Sequence, residues 1–244
     1  MERVSSGIRG LDKLIQGGYP KGSTVLISGS PGTGKTILCM QFLYSGAIKG
    51  SRGIFASFNE VPEALKKEAA EFGWDFEKLE KEGKIRFLFL DVHDIDASIE
   101  KIKEAVNELK AERLVIDSLS SLISYAPFQK ATPEFKQIME KELIVRPAIV
   151  GDAITRAVIN DVIDKIKKLG CTTLMITEMP KESEWLSRDT ISEFACDGVI
   201  VLKRLTMEKQ VMRTITVEKM RMTKIEEGVY EMEITENGIN VIIE

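Results

Sequence analysis

Val25-Leu26-Ile27-Ser28-Gly29-Ser30-Pro31-Gly32-Thr33-Gly34-Lys35-Thr36 reads as a hydrophobic strand, a glycine-rich turn and the opening of a helix. The turn fits the phosphate-loop spacing of Gly, four residues, Gly, Lys, then Ser or Thr. Each part has a chemical reason. Gly29, Gly32 and Gly34 let the backbone bend sharply and approach a ligand closely. Exposed N–H groups and the helix N-terminus then form a cradle for anions. Lys35 can reach the β- and γ-phosphates, and the Thr36 hydroxyl can ligate Mg²⁺. The expected phosphate contacts are Gly29, Ser30, Pro31, Gly32, Thr33, Gly34, Lys35 and Thr36, with Ile37 beside them at the helix start. A buried-type strand before the loop and an apolar-periodic helix after it supply the context the motif needs, so a bound nucleoside triphosphate is expected.

Composition bounds what surrounds this stretch. The chain has 244 residues, enough for one large α/β domain and too few for two ordinary ones. Hydrophobic residues make up 43% and charged residues 30%, a globular balance. The longest apolar runs are strand-sized, so no transmembrane helix and no membrane partner is expected. The start, Met1-Glu2-Arg3-Val4-Ser5, has no apolar signal stretch, and the expected location is cytoplasmic. Cys39, Cys171 and Cys196 have neither pairing nor ligand spacing and read as buried reduced thiols. The single His93 rules out a His-rich metal site. A net charge of −4 leaves no global basic field to hold nucleic acid by counterion release.

Strand and helix patterns alternate outward from the loop. Val25–Ser28 is the first expected strand, and the next helix runs from about Thr36 to Lys49. Ile54–Phe58, Ile85–Leu90, Leu114–Asp117 and Cys171–Thr177 read as further strands. Pro62 suits the first turn of a helix, Asp75 caps a short one, and Ala97–Lys110 is amphipathic. Thr132-Pro133 reads as a helix start, and Asp152 as the cap of a helix reaching Leu169. Val199–Leu202, Val211–Met222, Val229–Ile234 and Ile239–Ile243 read as strands joined by links too short for crossover helices, hence antiparallel. The expected class is α/β: a mostly parallel sheet flanked by helices, with antiparallel C-terminal strands.

A phosphate loop alone does not separate kinases, GTPases and motor ATPases. Val115-Ile116-Asp117 places a carboxylate at a strand end, where it can hold Mg²⁺ through water. Hydrolysis also needs a group to orient or deprotonate the attacking water. Asn59, Glu60 and Glu178 all stand at strand ends. A carboxylate can accept the proton and an amide can only orient the water, so Glu60 is the expected base.

The opening Arg3-Val4-Ser5-Ser6-Gly7-Ile8-Arg9-Gly10-Leu11-Asp12, the Gly17-Gly18-Tyr19-Pro20 turn, the phosphate loop, Gln41-Phe42-Leu43, Phe72-Gly73-Trp74-Asp75, Ile116-Asp117-Ser118 and Lys219-Met220-Arg221 together resemble the KaiC family, a branch of the RecA/DnaB-type ATPases. The resemblance covers nearly the whole chain and implies one RecA-like domain over residues 1–244. It further implies ATP/ADP and Mg²⁺ as ligands, and rings, usually hexamers, with nucleotide at subunit interfaces. In the family the Lys-x-Arg pair, here Lys219 and Arg221, reaches the γ-phosphate held by a neighbour, as an arginine finger does. Thr223, Ile225, Thr235 and Glu236 match family positions lining base and ribose. Two departures stand out. Where the family usually has two adjacent glutamates, this chain has Asn59-Glu60. After Arg221 the family typically has Gly and then a Ser/Thr–His segment, whereas this chain has Met222-Thr223-Lys224-Ile225. The phosphorylated Ser/Thr pair of the tandem-domain clock protein has no match at Glu193-Phe194, so clock function is not expected.

Residues 125–151 and 181–194 form two long links where RecA-like rings face their channel. The first carries Phe128, Phe135, Lys130 and Lys136, and the second carries Trp185 and Arg188 among acids. The acidic balance favours a protein partner or ring packing over nucleic acid. The leading expectation is a slow Mg²⁺-dependent ATPase in a homo-oligomeric ring. The alternative is a nucleotide-binding regulatory scaffold with little hydrolysis, kept open by Asn59. A DNA-dependent recombinase or helicase activity is the weaker third reading.

Overall fold

The computed structural model describes residues 1–122, 147–179, 185–187, 189–207 and 210–243. Eleven named strands and seven named helices lie among them: β1 (Arg3–Val4), α1 (Leu11–Leu14), β2 (Tyr19–Pro20), β3 (Thr24–Gly29), α2 (Lys35–Ile48), β4 (Gly53–Ser57), α3 (Pro62–Ala70), α4 (Phe76–Lys81), β5 (Ile85–Phe89), α5 (Ile95–Leu109), β6 (Arg113–Asp117), α6 (Pro147–Lys167), β7 (Thr172–Glu178), α7 (Ser192–Ala195), β8 (Gly198–Met207), β9 (Gln210–Met220), β10 (Tyr230–Thr235) and β11 (Gly238–Val241).

Nine strands form one sheet in the order β11-β10-β9-β8-β3-β7-β6-β4-β5, and β1 pairs with β2 in a two-stranded ribbon. From β8 through β5 all neighbours are parallel, while β9, β10 and β11 add on antiparallel. The strand that precedes the phosphate loop is central. Val25, Leu26 and Ile27 are fully buried because both faces of β3 are covered. A strand in that position reads as a continuous apolar run rather than an alternating one. Val25 and Ile27 face a core shared with α2, α3 and α4, and Leu26 faces one shared with α5 and α6. The sheet therefore has helices on both faces, as the alternating pattern implied.

Local signals set several boundaries. Pro62 occupies the first turn of α3, where its missing N–H costs nothing. An Asp75 carboxylate oxygen accepts from the Lys78 amide at 2.9 Å and caps α4, and Asp94 does the same for α5 from the Ala97 amide at 2.9 Å. All three cysteines are buried and free.

One expectation is corrected. Asp152 is not a cap, because α6 already begins at Pro147, a residue suited to a first helical turn. Val199–Leu202 pairs antiparallel with the strand that follows it, as expected, and on its other edge β8 runs parallel to β3, with Leu202 opposite Gly29. The 19 residues between Glu178 and Gly198 are long enough for a crossover, a length the short links later in the tail do not have. The expected helix start at Thr132-Pro133, the first long link as far as residue 146, and Arg188 lie outside the described residues.

Candidate nucleotide site

The candidate phosphate loop leaves the carboxyl end of β3 at Gly29 and enters α2 at Lys35. Sites on open α/β sheets form at that edge. The two flanking glycines answer to different demands. A Cβ on Gly29 would stand 2.5 Å from the carbonyl oxygen of Leu202, so the backbones of β3 and β8 approach as only glycine allows. Gly34 caps α2 with φ at 101°, a left-handed conformation that a side chain would strain. Among the described residues, the amides of Gly32, Thr33 and Gly34 donate no hydrogen bond within the chain. Loop amides without an internal acceptor, at the start of a 14-residue helix, fit an anion.

Lys35 is only 9% exposed, and its ammonium donates to the carbonyls of Gly29 at 2.8 Å and Ser30 at 3.0 Å. Burial lowers its pKa, and the charges of Glu178 and Asp117 act against that drop. The Thr33 hydroxyl closes the loop on the Ser30 carbonyl at 2.8 Å. The Thr36 hydroxyl donates to Asp117 Oδ2 at 3.1 Å. Asp117 ends β6 opposite Ser57 of β4, and is itself 9% exposed. Burial pushes its carboxyl up to about 6, against the pull of the Thr36 hydrogen bond; the charge of Glu60 pushes it further up. One hydroxyl and one carboxylate are hard oxygen donors, and Mg²⁺ is commonly held by such a sparse set plus substrate phosphates. The residues present fit a Mg²⁺-nucleotide. Ile37 packs partly buried against the core on the α2 face.

Asn59 and Glu60 follow β4 at the same edge, but their side chains differ in employment. The Asn59 amide donates to Ser118 Oγ at 3.2 Å and its carbonyl oxygen accepts from the Ser121 hydroxyl. The Glu60 amide is fixed by Ser57 Oγ at 2.9 Å, while its carboxylate is exposed toward Asp117 and Glu68. Glu178 ends β7 opposite Gly29, with its amide held by Ser120 Oγ at 2.8 Å. Sequence reasoning missed the serines 57, 118, 120 and 121 that set this geometry. The run Ser118-Leu119-Ser120-Ser121 directly after the acidic strand was the available signal.

Lys219 and Arg221 stand elsewhere. Lys219 is paired with Val199 and Met220 with Gly198, while Gly198 is paired with Val25 near the amino end of β3. The rise from Val25 to Gly29 alone separates them from the loop by roughly 13 Å. The Lys219 ammonium donates to the carbonyls of Cys196 at 2.7 Å, Glu193 at 3.0 Å and Phe194 at 3.2 Å. The Arg221 guanidinium is 54% exposed and pairs with Asp197 at 3.5 Å. The four candidate base and ribose residues are also divided. The Thr223 hydroxyl accepts from Arg3 at 2.7 Å, and Ile225 packs partly buried in the same tail segment. Thr235 and Glu236 lie instead at the turn of the β10–β11 hairpin, whose Ile234 would meet a Cβ on Gly34 at 3.1 Å. A single chain brings together the loop, Asp117, Asn59, Glu60 and the hairpin turn, and leaves Lys219, Arg221, Thr223 and Ile225 at the far edge.

The family model described as "ATPase: KaiC" matches residues 4–143 and 145–244. The circadian clock oscillator protein KaiC of Synechococcus elongatus is 33% identical over 250 residues, which cover 98% of this chain; the chain spans 44% of that protein's length. A UPF0273 protein of Saccharolobus solfataricus is 31% identical across 99% of this chain and 83% of its own length. A crystal structure of a KaiC-like protein from the hyperthermophilic archaeon Pyrococcus horikoshii superposes with a TM-score of 0.81 at 37% identity, covering 99% of both chains. The fold described above thus recurs in a solved structure that aligns over 99% of both chains. The chain belongs to the KaiC family of ATP-binding, RecA-like ATPase domains.

Proposed function

We propose that residues 1–244 form one ATPase domain that assembles into a ring and hydrolyses ATP slowly at sites shared between neighbouring copies. One observation carries this reading: Lys219 and Arg221 sit at the opposite edge of the sheet from the loop of their own chain. A guanidinium held there is far from the loop of its own chain, which supports a loop presented by a second copy. Head-to-tail packing that closes into a ring supplies such an arrangement at every interface.

The roles follow from the geometry. Loop amides and Lys35 bind the phosphates, and the partly buried Thr36–Asp117 pair would hold Mg²⁺. When bound there, Mg²⁺ would supply neutralisation of phosphate charge. Glu60, exposed beside the pair, orients the water and takes its proton. Asn59 is held by two serines and can orient but not deprotonate. Loss of a positioned base at the Asn59 position slows turnover by roughly 10²–10⁴-fold. Arg221 of the next copy stabilises charge on the transferring phosphoryl group. Thr235 and Glu236 approach the nucleotide from its own chain, and Thr223 and Ile225 from the neighbour.

The test is mass in solution with and without Mg²⁺-ATP. A ring in the presence of nucleotide is expected, and a monomer under both conditions contradicts the shared site. The satisfied hydrogen bonds of Asn59 favour one second reading, a scaffold whose nucleotide sets assembly without useful hydrolysis. Single-turnover phosphate release separates the two: hydrolysis that Glu60→Gln suppresses supports the enzyme, and no release supports the scaffold.

A further inference from the structure

The chain turns its last hairpin back onto the helix that opens at the phosphate loop. β11 is the outermost strand of the sheet, yet Ile234 and Ile239, cross-strand partners in the β10–β11 hairpin, both reach Gly34. A Cβ on Gly34 would stand 3.1 Å from Ile234 Cδ1 and 3.6 Å from Ile239 Cδ1. The strand order gives that approach a meaning. β10 and β11 lie on the β8 side of β3, whereas Asp117, Asn59, Glu60 and Glu178 stand at the ends of β6, β4 and β7 on the other side. The metal and the reacting phosphate belong with those acids. The hairpin is left with the opposite end of the ligand, its ribose and base.

One buried side chain fixes the hairpin there. Gln41 stands on α2, is 8% exposed, and meets Ile239 as a neighbouring strand would. Its oxygen accepts from the Ile239 N–H at 2.6 Å, and its nitrogen donates to the Ile239 carbonyl at 3.2 Å. The same nitrogen donates to the Gly7 carbonyl at 3.1 Å, so both amide hydrogens are used. Among the described residues, no other hydrogen bond joins α2 to the hairpin. The turn fits closely against this amide. A Cβ on Gly238 would stand 2.5 Å from Gln41 Oε1 and 2.6 Å from Trp74 Cζ2. Trp74 is itself stacked on Tyr44 and Phe72, with ring centroids 5.8 Å and 4.9 Å away. Thr235 pairs with Gly238 across the turn, and its hydroxyl donates to the Gly238 carbonyl at 2.9 Å. A shift of Gly238 is therefore a shift of Thr235 and Glu236.

We propose that Gln41 is a positioning residue for the nucleoside: it holds the β10–β11 turn against the loop helix, so that Thr235 and Glu236 form a preset wall for ribose and base. Losing it costs affinity for the nucleoside part of the ligand and spares the phosphate part, because a wall that must first be ordered binds more weakly. The inference rests on the nucleotide reading given above and needs no neighbouring copy.

The test is calorimetric titration of Mg²⁺-ATP, and of Mg²⁺-tripolyphosphate, which has the phosphates without the nucleoside. The proteins are the wild type, Gln41→Met, Gly238→Ala and Thr235→Ala. Gln41→Met is close in volume and removes the amide, while Gly238→Ala keeps the amide and displaces the turn. Titrations are run below the thermal transition of every variant, with light scattering to hold the comparison within one assembly state. Gln41→Met and Gly238→Ala should each bind ATP roughly tenfold more weakly, with tripolyphosphate affinity within about threefold of wild type. Gln41→Met combined with Thr235→Ala should lose little beyond Gln41→Met alone, because the first change already releases the second residue. Equal losses for both ligands, additive losses in the double variant, or unchanged ATP affinity whatever the thermal transition overturn the positioning role. A wild type that binds ATP no more tightly than tripolyphosphate removes the nucleoside wall and the proposal with it. A wild type that binds neither ligand overturns the nucleotide reading itself.

Discussion

At its carboxyl end, β3 opens at Gly29 into a loop whose Gly32, Thr33 and Gly34 amides donate no hydrogen bond among the described residues and whose lysine is buried. At its amino end, the Thr24 amide is bonded to Asp197 at 3.0 Å, and the same carboxylate holds Lys167 at 2.9 Å and Arg221 at 3.5 Å. The first end is built to accept an anion. The second already satisfies its own acid and offers a cation outward. On the proposed reading, the two ends of β3 mark two halves of a site that a single chain does not close. The contrast also separates the two residues of the Lys-x-Arg pair. Lys219 is committed to three carbonyls at and just beyond α7, while Arg221 is mostly exposed and free to change partner.

Substitutions at each end should break this contrast in different ways. The largest effect belongs to Lys35→Ala, which removes the buried ammonium. Turnover should vanish and nucleotide affinity fall by roughly 100-fold, read by calorimetric titration. Next comes Arg221→Ala, for which steady-state kinetics should show kcat reduced by roughly 10³-fold with nucleotide affinity within about threefold of wild type. A parallel fall in affinity would place Arg221 in ground-state binding. Asn59→Glu should raise single-turnover hydrolysis by roughly 10²-fold, because it restores a group that can take a proton. No gain would mean that Glu60 already does the whole task. Lys219→Ala should cost about 1–3 kcal/mol of stability in denaturant unfolding, since it leaves three carbonyls short of a donor. A wild-type unfolding curve would place Lys219 outside the fold's framework.

The smallest effect concerns pH. Asp117 is raised from 3.8 to about 6 on folding, so between those values the folded chain holds the proton more tightly. Its contribution is therefore present at acid pH and is lost as pH rises through about 6. In Mg²⁺-free protein, moving from neutral pH to about pH 5 should add about 1 kcal/mol through this group. Asp117→Asn should lack that increment, and an identical pH slope in both proteins would contradict the assignment.

Much of this was legible along the chain because it is local. The loop spacing, the Asp117 strand end, Pro62 at a first turn and the Asp75 cap each depend on residues a few positions apart. What escaped is set by contacts across the sheet. The parallel pairing of β8 with β3, on the edge opposite β9, is a matter of sheet neighbours that no periodicity records. Asp152 looked like a cap only because its position in a longer helix is fixed by the start at Pro147. The capture of Lys219 by carbonyls 23 to 26 residues away comes from strand register. A basic residue on a strand reads the same in sequence whether it is solvated or tied down.

The shared site is tested most directly by mixing two inactive chains, Lys35→Ala and Arg221→Ala. In mixed rings, some interfaces join an intact loop from the second chain to an intact Arg221 from the first. The account predicts that hydrolysis returns on mixing, to about a quarter of the wild-type rate for random head-to-tail assembly. Mixed rings that form and remain as inactive as their parents would contradict it.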